Sequence, residues 1–93
     1  MSEIPKGFGK VKELSDLSDA ELVRIGLIAE LDAINLYEQL AMQAKNPLVK
    51  KMFMEIAYEE KEHVGEFLEL LKRLDKEQIK ALEDGAKEVR EKG

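Results

Sequence analysis

The sequence predicts an all-α fold, in which two long helices form an antiparallel hairpin and a shorter helix follows at the C-terminus. The composition is rich in residues with high helix propensity, and the apolar residues recur at helical spacing. No segment alternates apolar and polar residues as a half-buried strand does. A chain of 93 residues forms one small domain, which buries only roughly two thirds of its unfolded surface. Association with further copies would therefore stabilise it.

Residues 1–17 are expected to form a flexible arm, because Pro5, Gly7 and Gly9 interrupt any regular pattern. The N-terminus lacks the apolar stretch of a secretory signal, and no apolar run approaches the ~20 residues that span a bilayer. The absence of cysteine fits a reducing compartment. These features predict a cytoplasmic protein that does not enter a membrane.

The helical hairpin is expected over residues 18–74. Its first helix begins with a capping box formed by Ser18 and Glu21 and continues to the dipeptide Asn46-Pro47. Proline disfavours helical backbone at the residue before it, and Pro47 can itself open the second helix. Because the connection is very short, the two helices should pack antiparallel.

Residues 75–93 are predicted to form a third helix, capped by Asp75 with Gln78 at the box position. Its apolar stripe is narrow and lies among many charges, so the helix should dock on the hairpin or on a neighbouring chain. We assign this segment a role in assembly. The stripe consists of Ile79, Leu82, Ala86 and Val89.

Three polar residues fall within the apolar stripes of the hairpin. With about 100° between successive residues, Glu30 lies in the middle of the stripe on the first helix. Glu60 and His63 lie in the stripe on the second helix, whereas Glu59 falls at its flank and Glu62 on the opposite face. Burying an ionised carboxylate without compensation costs several kcal/mol. A bound metal ion would compensate this cost, because carboxylates and imidazole are good metal ligands.

The spacing of the three residues points to a metal centre shared by two chains. Glu60 and His63 form a Glu-x-x-His motif, which places both side chains on one helical face. Di-iron carboxylate bundles use a Glu from each of two helices and a Glu-x-x-His from each of two others. This chain supplies half of that set, with Glu30 as the single Glu. Two chains related by a two-fold axis would complete a four-helix bundle that holds iron, manganese or zinc.

Other interpretations of the same residues remain open. A Glu-x-x-His motif occurs often by chance, and a lone histidine in a core is usually hydrogen-bonded. One alternative is a non-enzymatic helical adaptor dimer, in which the Glu and His side chains form a hydrogen-bonded network. Another is a different di-iron chemistry on the same ligands, such as peroxide removal. A nucleic-acid partner is not expected, since the net charge is −5 and no basic face is evident.

Two segments, 28–38 and 59–67, resemble the encapsulated ferritins, the two-helix group of the ferritin-like superfamily. They read IAELDAINLYE and EEKEHVGEF, and the resemblance extends over residues 17–74. The resemblance is to the archaeal and thermophile type of this group, in which the domain is fused ahead of a shell protein. The resemblance implies a ferritin-like four-helix bundle made by two chains, and a ring, a decamer, made from such dimers.

The resemblance further implies a ferroxidase, which oxidises Fe(II) to Fe(III) with dioxygen at a di-iron centre holding two iron ions per dimer. The partner is an encapsulin shell protein, and the cytoplasmic nanocompartment built from that shell stores the iron. Separately encoded cargo proteins end in an apolar shell-binding peptide, whereas this C-terminus is charged. We therefore expect either a domain of an encapsulin fusion or another targeting segment.

The resemblance also assigns roles to individual residues. The ferroxidase ligands match Glu30, Glu60 and His63. Tyr37 matches an aromatic residue near the metals, and Asp32 matches an acid near the path by which iron enters.

Overall fold

The structure is a computed structural model that describes residues 13–93. It contains three α-helices and, among the described residues, no strand, so the all-α prediction is confirmed. In that part of the chain, no helix is long and apolar enough to cross a membrane. The elements are a short 3₁₀ helix, Leu14–Asp16, then α1 (Asp19–Gln43), α2 (Pro47–Leu74) and α3 (Lys76–Lys92).

The predicted arm lies mostly outside the described residues. Of its C-terminal part, Leu14–Asp16 forms the 3₁₀ helix and Leu17 is buried. This end of the segment therefore belongs to the folded structure rather than to a flexible arm. The division into segments 1–17, 18–74 and 75–93 remains a prediction.

The two helices of the hairpin begin at the residues that the sequence predicts. The Glu21 N–H donates to Ser18 Oγ at 3.2 Å, and the Ser18 N–H donates to the Glu21 carboxylate at 2.9 Å, which completes the capping box. At the start of α2, the Asn46 side chain accepts from two backbone N–H groups of the first turn. Pro47 is the first residue of that helix. These local contacts fix the point at which the chain reverses direction.

The junction between α2 and α3 differs from the expectation. Asp75 is the N-cap residue of α3, but its side chain makes no capping hydrogen bond, so the predicted cap is wrong. Instead, Arg24 of α1 donates to the Asp75 carboxylate at 2.7 Å. A charged partner displaces the weaker local bond, and the ion pair ties the start of α3 to α1.

The helices α1 and α2 pack along their lengths, whereas α3 makes few contacts with α2. The ion pairs between α1 and α2 show that the helices are antiparallel. Glu38 pairs with Lys61 nearer the connection, and Glu30 pairs with His63 farther from it. The buried core of the described residues is small, and many large apolar side chains stay exposed. A single chain thus leaves much of its apolar surface open to a partner. The buried residues are Leu17, Ala41, Ala57 and Leu71.

Candidate metal centre

Glu30 of α1 meets Glu60 and His63 of α2 at one point between the helices. Each residue offers one ligand atom, and these atoms all lie within 4.8 Å of one another. His63 Nδ1 is 3.1 Å from Glu30 Oε2 and 3.7 Å from Glu60 Oε2. The fold therefore brings together the three residues selected from the sequence. That they bind metal remains a prediction.

The three side chains lie on an open face rather than in a closed core. The exposed fraction of the side chain is 46% for His63, 20% for Glu30 and 17% for Glu60. The expectation that all three are buried is wrong for the single chain. A hairpin of two helices has no third or fourth helix to cover the stripe on which they lie. The cluster consequently borders an open groove that also contacts Glu66 and Phe67.

Contacts within the cluster raise the pKa of Glu60 and of His63. The hydrogen bond that protonated Glu60 donates to Glu30 raises the pKa of Glu60, and partial burial and the negative charge of Glu30 add to this effect, while His63 opposes it. The hydrogen bond with Glu30 also raises the pKa of His63, assisted by the charges of Glu30, Glu60 and Glu66 and opposed by burial. The cluster thus attracts positive charge, whether a proton or a cation.

The donor set fits a transition metal with hard-ligand preferences. Two ligands at right angles on such an ion lie about 3.0 Å apart when each bond is about 2.1 Å. The 3.1 Å separation of His63 Nδ1 from Glu30 Oε2 is close to that value. Two carboxylates and one imidazole suit iron, manganese or zinc. One chain supplies three donors and leaves the remaining positions open.

The other residues selected from the sequence lie outside this cluster. Tyr37 stacks on Phe53, with ring centroids 6.2 Å apart and an interplanar angle of 25°. Asp32 is exposed on α1. Their roles near the metals and along the iron path remain predictions. Glu66 was not among the residues selected from the sequence, although its place three residues after His63 on the helix was a usable signal.

Comparison with curated proteins finds similar sequences among encapsulin fusion and cargo proteins. It is 52% identical over 71 residues to a ferritin-like–encapsulin shell fusion protein of Pyrococcus furiosus, a match covering 76% of this chain and 21% of that protein. It is 46% identical over 61 residues to the encapsulin nanocompartment cargo protein EncB of Myxococcus xanthus, which covers 66% of this chain and 39% of that protein. The chain thus spans less than half the length of both relatives.

Comparison with solved structures and family profiles agrees with the geometry. The crystal structure of an encapsulated ferritin domain from Pyrococcus furiosus matches with a TM-score of 0.79 and 44% identity, covering 98% of this chain and 93% of that one. The sequence profile of the rubrerythrin family matches residues 21–92. Members of this family are di-iron proteins, and many are oxidoreductases. The chain therefore belongs to the rubrerythrin family of ferritin-like proteins, and it is similar to the encapsulated ferritins in sequence and fold.

Proposed function

We propose that the protein is a ferroxidase, which oxidises Fe(II) to Fe(III) with dioxygen at a di-iron centre shared by two copies of the chain. The convergence of Glu30, Glu60 and His63, with ligand atoms within 4.8 Å of one another, carries this proposal. The cluster contains half of the ligand pattern of di-iron carboxylate bundles. Its open face leaves room for the matching half from a second chain.

The residues of the chain have distinct tasks in this reaction. Glu30 and Glu60 present hard carboxylate oxygens, which favour Fe(III) over Fe(II) and so make oxidation of the bound substrate easier. His63 supplies a nitrogen ligand from the same helical face as Glu60. Because the pKa of Glu60 is raised, protons compete with metal for this carboxylate. Two Fe(II) ions supply two electrons to one dioxygen molecule, which takes up two protons from the solvent and leaves as hydrogen peroxide.

The surface of the hairpin supports the dimeric form of this proposal. Large apolar side chains such as Leu31 and Leu36 on α1 and Met52 on α2 are exposed in the single chain. Burying part of this surface in contacts between chains would stabilise an assembly at roughly 25 cal/mol per Å². The shared site would then be enclosed by four helices. We further propose that such dimers form a ring.

The names of the relatives support the cellular part of the proposal. A fusion to an encapsulin shell and two encapsulin cargo proteins are among the similar proteins. We propose that this chain also works inside an encapsulin nanocompartment in the cytoplasm. There the shell would store the Fe(III) that an open ring cannot enclose.

A non-enzymatic adaptor dimer is the second candidate, and one observation favours it. Glu30 accepts a hydrogen bond from His63 at 3.1 Å and also shares a hydrogen bond with Glu60. The three side chains thus form hydrogen bonds with one another without metal. In this case the cluster would act as a polar network, and the protein would show no metal dependence.

Stopped-flow mixing separates the candidates. Metal-free protein is loaded anaerobically with Fe(II) and mixed with air-saturated buffer, and the near-ultraviolet absorbance is followed. The ferroxidase proposal expects a rapid rise that saturates at two iron ions per dimer. The adaptor proposal expects the slow trace of protein-free buffer. A parallel reaction with hydrogen peroxide instead of dioxygen tests the peroxide alternative.

A further inference from the structure

The ring of Phe67 on α2 contacts α1 at Gly26. A Cβ placed on Gly26 would lie 3.0 Å from two carbon atoms of the Phe67 ring and 3.5 Å from a third. Carbon atoms in contact prefer a separation of about 3.5–4.0 Å. The two helices therefore approach this closely because residue 26 has no side chain.

The contact lies next to the candidate metal centre. Gly26 is one helical turn before Glu30 on α1, and Phe67 is one turn after His63 on α2. Phe67 also lines the open groove that Glu30 and His63 border. The ring thus forms the wall of the groove at one end of the ligand cluster.

The three ligands differ in how they depend on the distance between the helices. Glu60 and His63 are on the same helix, so the helix itself fixes their relative position. Glu30 reaches them from α1, and its 3.1 Å contact with His63 spans the two helices. A change of about 0.5 Å in helix separation would stretch this contact beyond ordinary hydrogen-bond length. Only Glu30 is sensitive to the separation in this way.

We propose that the contact between Gly26 and Phe67 is a positioning contact, which sets the helix separation at which Glu30 joins Glu60 and His63. Its consequence for metal rests on the proposed metal-binding function, whereas its effect on Glu30 does not. A methyl group at residue 26 would require the Phe67 ring or the helices to give by a few tenths of an ångström. A shift of the helices moves Glu30 away from His63, whose 3.1 Å contact is already near the long end of hydrogen-bond distances.

Gly26→Ala is the direct test, and Gly85→Ala is its matched control. Both glycines lie inside helices, and both substitutions raise helix propensity. A Cβ at Gly85 meets nothing within 4 Å. Titration of the full chain with Co(II), followed by its absorption spectrum, should show binding at least about tenfold weaker for Gly26→Ala than for Gly85→Ala. Adding Phe67→Leu should restore both affinity and spectrum, because leucine lacks the outer ring carbons.

Crystal structures of the metal-free variants give a readout that needs no metal. In Gly26→Ala, Glu30 Oε2 should lie beyond hydrogen-bond distance from His63 Nδ1, whereas Gly85→Ala should keep the contact. If Gly26→Ala keeps the contact between Glu30 and His63, the positioning inference is overturned. It is also overturned if the wild type binds Co(II) and Gly26→Ala binds it with equal affinity. A wild type that binds no Co(II) would refute the proposed function, and the metal-free distance would still decide this inference.

The double variant covers the case in which Gly26→Ala does not fold, as judged by circular dichroism. A double variant with Phe67→Leu that folds and keeps the Glu30–His63 contact supports the inference. A double variant that remains unfolded overturns it, because relief of the ring contact would then have had no effect.

Discussion

Glu30 is the residue on which the pKa of Glu60 and the pKa of His63 chiefly depend. It is hydrogen-bonded to His63 at 3.1 Å and to Glu60, and these bonds are the largest cause of the raised pKa of both. Two carboxylates held this close cannot both ionise without repulsion. A metal ion bound here would remove that repulsion. The same geometry therefore explains both the raised pKa of Glu60 and the suitability of the cluster for a cation.

Glu60→Gln should abolish rapid Fe(II) oxidation. The substitution keeps the size of the side chain but removes a charged ligand, and in a two-fold symmetric site it does so for both metals. Removal of outer partners of a ligand already costs about 10–100-fold in affinity or activity, so we expect a loss of at least about 100-fold. The stopped-flow absorbance assay measures this loss.

Glu59→Gln is the control for that experiment, because Glu59 is adjacent in sequence, exposed and outside the ligand cluster. It should oxidise Fe(II) at close to the wild-type rate. Equal damage from both substitutions would mean that general acidity near the groove, rather than the specific ligand, supports the reaction.

The stability of the metal-free protein should fall as pH rises. The pKa of Glu60 is raised in the folded state, so its favourable contribution is present below about pH 4.3 and is lost as pH rises through the raised value. The contribution of His63 is likewise present below about pH 6.5 and lost above. Urea unfolding at fixed protein concentration, in chelator, should show wild type losing stability relative to Glu60→Gln over this range. Parallel pH profiles would contradict the coupling between Glu30 and Glu60.

At the scale of the helices, the sequence predicted what depends on neighbouring residues. The capping box of Ser18 and Glu21 and the start of α2 at Pro47 each depend on residues within one turn. The partner of Asp75 could not be found in this way, since Arg24 is remote in sequence and becomes a neighbour only after the hairpin closes. A long-range charged pair then prevails over a local cap.

In the candidate site, too, the sequence predicted what depends on helical spacing and did not predict what depends on distant parts of the structure. Helical periodicity placed Glu30, Glu60 and His63 on facing stripes, and antiparallel packing placed them at one level. Their exposure could not be predicted, because it depends on what covers the hairpin from outside. The close approach at Gly26 was equally hidden, since a glycine in a helix gives no sign of which ring lies against it.

The third helix is an element that the hairpin does not use for its own packing. Every residue from Ile79 to Gly93 is exposed, although the stripe that begins at Ile79 and Leu82 is apolar. An isolated helix of this length is marginal in water, so its apolar face requires a groove elsewhere. Arg24 and Asp75 fix its start while leaving the rest free to contact another chain.

Truncation after Leu74 should therefore abolish higher assembly and leave the metal centre intact. We expect dimers that still bind two Co(II) ions, because α3 contributes no residue to the ligand cluster. Sedimentation velocity gives the size, and Co(II) absorption gives the site. A truncated chain that keeps the full ring, or that loses Co(II) binding, would refute the assignment of α3 to assembly.

Under the proposed function, the molecule as a whole lacks two things that further copies would supply. Much of its apolar surface is uncovered, and its cluster would hold half of a di-iron set. A second copy placed over the cluster would complete the di-iron set, and contacts between chains would bury part of the apolar surface. Folding stability, assembly and metal binding should consequently be linked in a way that a closed monomeric metal site would not show.

Metal should shift the protein towards larger species. Each ion that binds only the dimer stabilises it by RT ln(1 + [L]/Kd), which is about 2.7 kcal/mol at 100 times Kd and tightens association about 100-fold per ion. Sedimentation of the full chain at fixed concentration, in chelator and in Co(II), measures the shift. Glu59→Gln should respond as wild type does, and Glu60→Gln should not respond.

Mild acidification should partly replace Co(II) in wild type, because protonation at the raised pKa of Glu60 removes the repulsion that four facing carboxylates create. Identical profiles with and without metal would show that each chain holds its ion alone, and the two-chain centre would then be wrong.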